Sequence, residues 1–296
     1  MRSSTRRRVG PLTDRPLTLR GLLRAFWLQI SVTWGLTLAE VVMFALIPLL
    51  IGKAIDGLLI ADLRAFIQLG AVLGGLVLLG TLRRVYDTRA YGLMRVELGK
   101  ELARRSAGTP VSQLNARLGM GRELVDFLES EAPESMTAVV RVLAALVILA
   151  GFHPLLASSA MAALAATMLI YGLAHKRFFQ LNATLNARAE QQVGVLSTRS
   201  TPRLGAHLLS LRKSEIRISD TEGLIYGLIF TALLGMEMFN LWFATQSLGV
   251  TAGSVFSIVT YSWDFVESAL ILPMTLQTLS RLSEITARIN QLEGVE

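Results

Sequence analysis

Apolar residues in this chain come in long blocks. Six stretches reach or approach the roughly 20 residues a helix needs to cross a bilayer: Leu28–Ile51, Ile67–Leu82, Met136–Phe152, Leu155–Leu173, Leu224–Leu248 and Val255–Leu279. The second and third are short at their strict apolar limits and are expected to continue as polar helix into water. Alternating ten-residue strands, the mark of a membrane β-barrel, are absent, so the expected spans are helices.

The connections are unequal. Residues 52–66, His153-Pro154 and 249–254 make short links, whereas 83–135 and 174–223 make long ones of 53 and 50 residues. Short and long links alternate, so each kind falls on one side of the membrane. The basic residues follow the same division. The arm 1–27, the two long loops and the tail after the sixth stretch hold 26 of the 29 Lys and Arg; the remainder are Lys53, Arg64 and Arg141. The positive-inside rule then puts both termini and both long loops in the cytoplasm. The predicted setting is the inner membrane of a bacterium.

Composition agrees with this reading. The chain is 52% hydrophobic and 17% charged, with a mean hydropathy of +0.50. That leaves too little polar surface for a water-soluble globule, which is typically about a quarter charged. The net charge of +7 needs no nucleic acid, because topology accounts for it. With no cysteine and three isolated histidines, neither a metal site nor any cofactor is expected. The arm MRSSTRRRVG resembles a twin-arginine signal, but the 24-residue apolar stretch that follows is too long for a cleaved one. A basic, lipid-facing arm is expected there.

Both long loops carry helical patterns. Val85, Leu93, Val96 and Leu98 recur among charges in the first, and Phe178, Leu181, Leu185 and Ala189 in the second. Gly108-Thr109-Pro110 and Ser200-Thr201-Pro202 read as turns. Each long loop is therefore expected to be two helical extensions of the spans, meeting at a turn beyond the membrane.

Six spans with two long helical inner loops resemble the transmembrane domain of ABC exporters of the type IV fold. In IPLLIGKAIDGLL, Pro48, Gly52, Ile55, Asp56 and Gly57 are similar to that family's stretch at the outer end of its first helix, with Gly57 starting the turn. Arg122 and Asp126 resemble its Arg-x-x-x-Asp element, and Gly253, Ser283 and Arg288 its features around the last helix. The resemblance implies an all-α membrane fold: the arm 1–27, a six-helix domain over 28–290 and a tail 291–296. It also implies a homodimer and a separate ATPase subunit docking near Pro110, Asn115, Pro202 and His207. The sequence contains no G-x-x-x-x-G-K-[ST] string and is not expected to hydrolyse ATP, or to be an enzyme of any other kind.

Four carboxylates fall inside apolar stretches: Glu40, Glu237, Asp264 and Glu267. Such groups are costly in a bilayer unless they face protein or water. Glu237 and Asn240 share a helix face, as do Asp264 and Glu267. These five form the candidate substrate or proton pathway, with polar contacts between helices as the structural alternative. Three readings stay open: a transport subunit driven by a separate ATPase, a transporter of the same fold driven by the proton gradient, and a non-transporting membrane scaffold.

Overall fold

A long apolar segment satisfies its backbone groups most simply by forming a helix, and every described element is helical. The computed structural model describes residue 12 and residues 19–105, 111–197 and 199–291, without the side chains of 112, 113, 116, 117, 120, 186, 190, 193 and 272–291. In chain order the helices are α1 (Leu19–Ala25), α2 (Trp27–Leu59), α3 (Arg64–Arg105), α4 (Val111–Asp126), a π-helical segment (Phe127–Glu131), α5 (Ala132–Phe152), α6 (Pro154–Ser197), α7 (Thr201–Ser247) and α8 (Ala252–Gln291).

Five helical runs among the described residues are long and apolar enough to cross a membrane: Trp27–Leu59, Arg64–Arg105, Gly121–Phe152, Pro154–Ser197 and Thr201–Ser247. The chain is therefore an integral membrane protein. The sixth predicted stretch, Val255–Leu279, lies on α8, but its side chains from 272 onward are outside the described residues. The expected helical extensions are present. At 1.5 Å per residue, α6 and α7 are about 66 and 70 Å long, over twice the roughly 30 Å of a hydrocarbon core. They are joined at Arg199, whose φ of 48° reverses the chain, and Ser200. The turn expected at 108–110 lies outside the described residues.

The chain divides into two units, one of Met1–Ala145, Thr251–Ser257 and Ile271–Glu296, the other of Leu146–Val250 and Ile258–Leu270. In the first, α2 and α3 run antiparallel. Their link is tighter than the sequence suggests. Gly57 does not end α2, which continues to Leu59; its carbonyl instead accepts the N–H groups of Ile60 and Asp62. A Cβ at Gly57 would stand 2.8 Å from the Asp62 carbonyl, so a side chain there would push the turn apart. Asp62 Oδ1 then accepts the Arg64 N–H and caps α3.

The polar half of α3 packs on α4 and on the chain's beginning. Leu12, Leu22, Phe26, Ile30, Tyr91, Met94, Leu98, Leu102, Leu124, Val125, Phe127 and Leu128 form one buried cluster. Two expectations change here. Leu12, Leu22 and Phe26 of the expected arm belong to a protein core shared with α3 and α4 and do not face lipid, whereas Trp27 is exposed. The buried face of α3 is Tyr91, Met94, Leu98 and Leu102, whereas Val85, Leu93 and Val96 are exposed. The helical pattern is real, but the tyrosine and methionine define its inner stripe.

In the second unit, α6 and α7 form an antiparallel pair. Only His153 separates α5 from α6, with Pro154 at the first helical position, where its missing N–H costs nothing. Phe178 is buried, while Leu181 and Leu185 are half-buried and Ala189 is exposed.

Candidate functional site

A polar side chain inside an apolar helix must be satisfied by a neighbour. Asn240 of α7 meets that condition fully. It is buried, accepts a hydrogen bond from Ser159 Oγ of α6 at 2.6 Å, and donates to Ser262 Oγ of α8 at 2.8 Å and to Met236 Sδ at 3.2 Å. One amide thus ties three helices. Ser159 and Ser262 carry no signal in the sequence, because serine is common in such helices.

Glu237 lies one turn away on α7 and contrasts with it. The side chain is 9% exposed, and its Oε2 has no hydrogen-bond partner among the described residues. Asn240 spends its bonds on the serines and Met236, none on Glu237. Asp264 is half-buried. Glu267 is exposed and accepts a hydrogen bond from Trp263 Nε1 at 2.9 Å. Of the carboxylates in this unit, Glu237 is the buried one without a partner on Oε2.

Glu40 belongs to the other unit. Arg83 Nε of α3 stands 2.9 Å from Glu40 Oε2, an ion pair without the alignment of a hydrogen bond. Arg83 also donates from Nη1 to Thr37 Oγ1 at 3.1 Å and lies 3.9 Å from Asp87. Gly80 gives Glu40 room, since a Cβ there would stand 3.2 Å from Oε1. The sequence makes Glu40 the deepest charge of its span. The packing instead sets it level with Arg83, where the apolar stretch of α3 ends. The reason is length: α2 spans about 50 Å, so its first turns lie beside the polar part of α3, where Ile30 joins Tyr91 and Met94. Arg141 sits 5.8 Å above the Phe44 ring, a cation–π contact.

The Arg-x-x-x-Asp pair has a different principal partner from the one its spacing suggests. Arg122 reaches Asp126 only at 3.7 Å, whereas Arg95 donates to Asp126 Oδ1 from Nε at 3.0 Å and Nη2 at 2.6 Å, and also bonds Glu129. Burial alone would pull Arg95 down; Asp126 and Glu129 outweigh it and hold the guanidinium above its ordinary range. Beside this hub, the π-helical segment presents the Leu128 carbonyl to the Tyr91 hydroxyl at 2.8 Å. Burial pushes the Tyr91 phenol up to about 12.

The expected docking residues are split. Pro110 lies outside the described residues. Asn115 is exposed on α4, and Pro202 is exposed in the first turn of α7. His207 is half-buried, and its Nε2 makes no hydrogen bond among the described residues.

Asp56 and Gly253, read from the sequence as separate family-like features, meet. Asp56 Oδ1 accepts the Gly253 N–H at 2.9 Å, and Oδ2 accepts the Thr251 hydroxyl at 2.5 Å. Behind them, a Cβ on Gly52 would collide with Ser257 Oγ and the Gly253 carbonyl, and one on Gly253 with the Gly52 carbonyl.

A comparison with curated proteins finds no match. A family model does match: its description is ABC transporter transmembrane region, and it covers residues 19–253, from α1 through α7 to the glycine that Asp56 holds. The chain belongs to the ABC transporter transmembrane region family.

Proposed function

We propose that this chain is the membrane-spanning subunit of an exporter-like transporter, working as a homodimer and energised by a separate ATPase subunit. The observation that carries the reading is the form of α6 and α7. Two helices run unbroken far past their apolar stretches and end in a turn of Arg199 and Ser200. Rigid extensions of this kind convert movement of a partner at the turn into movement of the spans. In this reading six spans cross the membrane, α8 supplying the last. Both termini and both long loops are cytoplasmic, where the basic residues lie. The turns near Pro110, Asn115, Pro202 and His207 receive the ATPase. A two-fold homodimer is the commonest closed assembly and lets two copies enclose one path.

The pathway carboxylates are proposed to be Glu237, Asp264 and Glu267, with Asn240 holding the helices that frame them and Glu40 braced by Arg83. A second reading, transport driven by the proton gradient, is favoured by one observation: Glu237 is buried with an oxygen that has no partner.

Orientation tests both together with the fold, because an ATPase reaches the turns only from the cytoplasm. Single cysteines at Asn115 and Pro202 in this cysteine-free chain should react with a membrane-impermeant maleimide only after the cells are opened. Reaction from outside intact cells defeats the ATPase reading.

A further inference from the structure

Between α6 and α7 lies a groove of about 700 Å³ lined by Lys176 and Arg177 from one helix and Arg217 from the other. Asp220 is the one carboxylate in its lining, so the groove is cationic by two charges. The three basic side chains are exposed, and none forms an ion pair among the described residues. Leu173 and Leu181 supply apolar wall, and Leu173 is 76% exposed.

The level of this groove is defined by the sequence. The apolar stretch of α6 ends at Leu173 and that of α7 begins at Leu224; Lys176 and Arg177 follow within about one turn on α6, and Arg217 stands about two turns beyond Leu224 on α7, past Glu222 and Asp220. Tyr226, half-buried on α7, stands just inside that limit, the position where tyrosines anchor helices at the headgroup layer. Unpaired cations above an apolar wall, at the boundary of a bilayer, match one chemistry: a phosphodiester headgroup whose acyl chains run along the apolar helix surface.

We infer that the groove of Lys176, Arg177 and Arg217 binds the phosphate headgroup of an anionic phospholipid where α6 and α7 leave the membrane. Lys176 and Arg177 approach the phosphate from α6 and Arg217 from α7, so a bound lipid bridges the two helices at the base of their extensions. This does not depend on how transport is energised.

The test is a lipid titration of the purified full chain in detergent, read by native mass spectrometry, with phosphatidylglycerol, phosphatidylcholine and inorganic phosphate as probes. The groove variant is Lys176→Gln/Arg177→Gln/Arg217→Gln. Its control, Arg203→Gln/Arg212→Gln/Lys213→Gln, removes equal charge from exposed positions on the same extension outside the groove. Each cation beside a headgroup is worth roughly fivefold in affinity. The wild type and control should therefore hold phosphatidylglycerol over phosphatidylcholine, and the groove variant should lose more than about tenfold of that preference. The single Gln variants should show graded losses and keep the result readable if the triple variant fails to fold. Millimolar phosphate should not displace the lipid; displacement, with no preference between the lipids, assigns the groove to a free phosphate anion and overturns the lipid. Equal loss in groove and control variants, or undiminished retention in the groove variant, overturns the site.

Discussion

Asp56, near the end of α2, holds the backbone of Gly253 at the start of α8: the Gly253 N–H donates to Asp56 Oδ1 at 2.9 Å, 197 residues away in sequence. The helices approach so closely at Gly52 that neither glycine has room for a methyl group. Gly52→Ala and Gly253→Ala should each destabilise the purified protein by about 1–3 kcal/mol or more through overpacking. Gly70→Ala, whose Cβ would meet nothing, should be neutral or slightly stabilising. Asp56→Asn should cost about 1 kcal/mol, since the amide nitrogen cannot accept from Thr251. Thermal unfolding in detergent reads all four. Equal melting temperatures for Gly52→Ala and Gly70→Ala would contradict the close crossing.

Asn240 and Glu237 should respond in opposite directions. Asn240→Ala removes the link between Ser159, whose hydroxyl keeps the Leu156 carbonyl at 2.8 Å, and Ser262, and leaves a void, so a loss of about 1–3 kcal/mol is expected. Glu237→Gln removes a carboxylate that burial disfavours and keeps its shape, so stability should hold or rise. If unfolding shows Glu237→Gln as damaging as Asn240→Ala, then Glu237 is a structural tie like its neighbour, and both pathway readings lose their main residue.

The Glu40–Arg83 pair calls for a double-mutant cycle. Arg83→Gln alone strands a half-buried carboxylate, and Glu40→Gln alone leaves the guanidinium with only Thr37 and the more distant Asp87. The double amide should recover part of the sum, with a coupling of about 1–3 kcal/mol. Additive losses would mean that the ion pair contributes nothing and that Glu40 has another role.

Acid should weaken the junction between α3 and the N-terminal segment. Hydrogen bonding from Arg104, reinforced by Arg105, holds the Glu101 carboxyl below its ordinary value, against the effect of its burial. Arg105 in turn donates to the Leu12 carbonyl at 3.1 Å. A lowered folded value means that the stability is present above the ordinary value of 4.5 and is lost as pH falls through the lower, folded one. The melting difference between wild type and Glu101→Gln should be steady from pH 8 to 6 and shrink below about pH 4.5. It should be modest, about 1 kcal/mol, because Arg104 is 57% exposed and solvent screens it. A difference that grows in acid would reverse the assignment.

What the sequence shows well is whatever depends on its own periodicity. The lengths of the apolar stretches announced α2, α3, α5, α6 and α7, and the polar helical patterns after Leu82 and Leu173 announced the extensions. Faces are harder to read, because they depend on the neighbour. Leu98 and Val96 look alike in a pattern, but only Leu98 points at Leu124 and Tyr91 in the buried cluster. Site residues divide in the same way. Glu237 and Asn240 stand out as polar groups in an apolar stretch, but their difference does not, since the partners of Asn240 are ordinary serines on two other helices. Glu40 seemed deep because depth was counted along one helix. Its partner is set by the register of α3, which brings Arg83 alongside.

The central claim is that a separate ATPase drives this chain through the turns of its extensions, and photo-crosslinking in intact cells tests it most directly. Benzoylphenylalanine would replace Asn115, Pro202 or His207, with Leu59, exposed at the far end of α2, as the control position. Adducts are expected from the three turn positions, and not from Leu59, with a protein that binds ATP and hydrolyses it when purified with this chain. Adducts no stronger at the turns than at Leu59, in cells where the chain is inserted with its turns cytoplasmic, would contradict the claim and leave the proton-driven reading at Glu237 in its place.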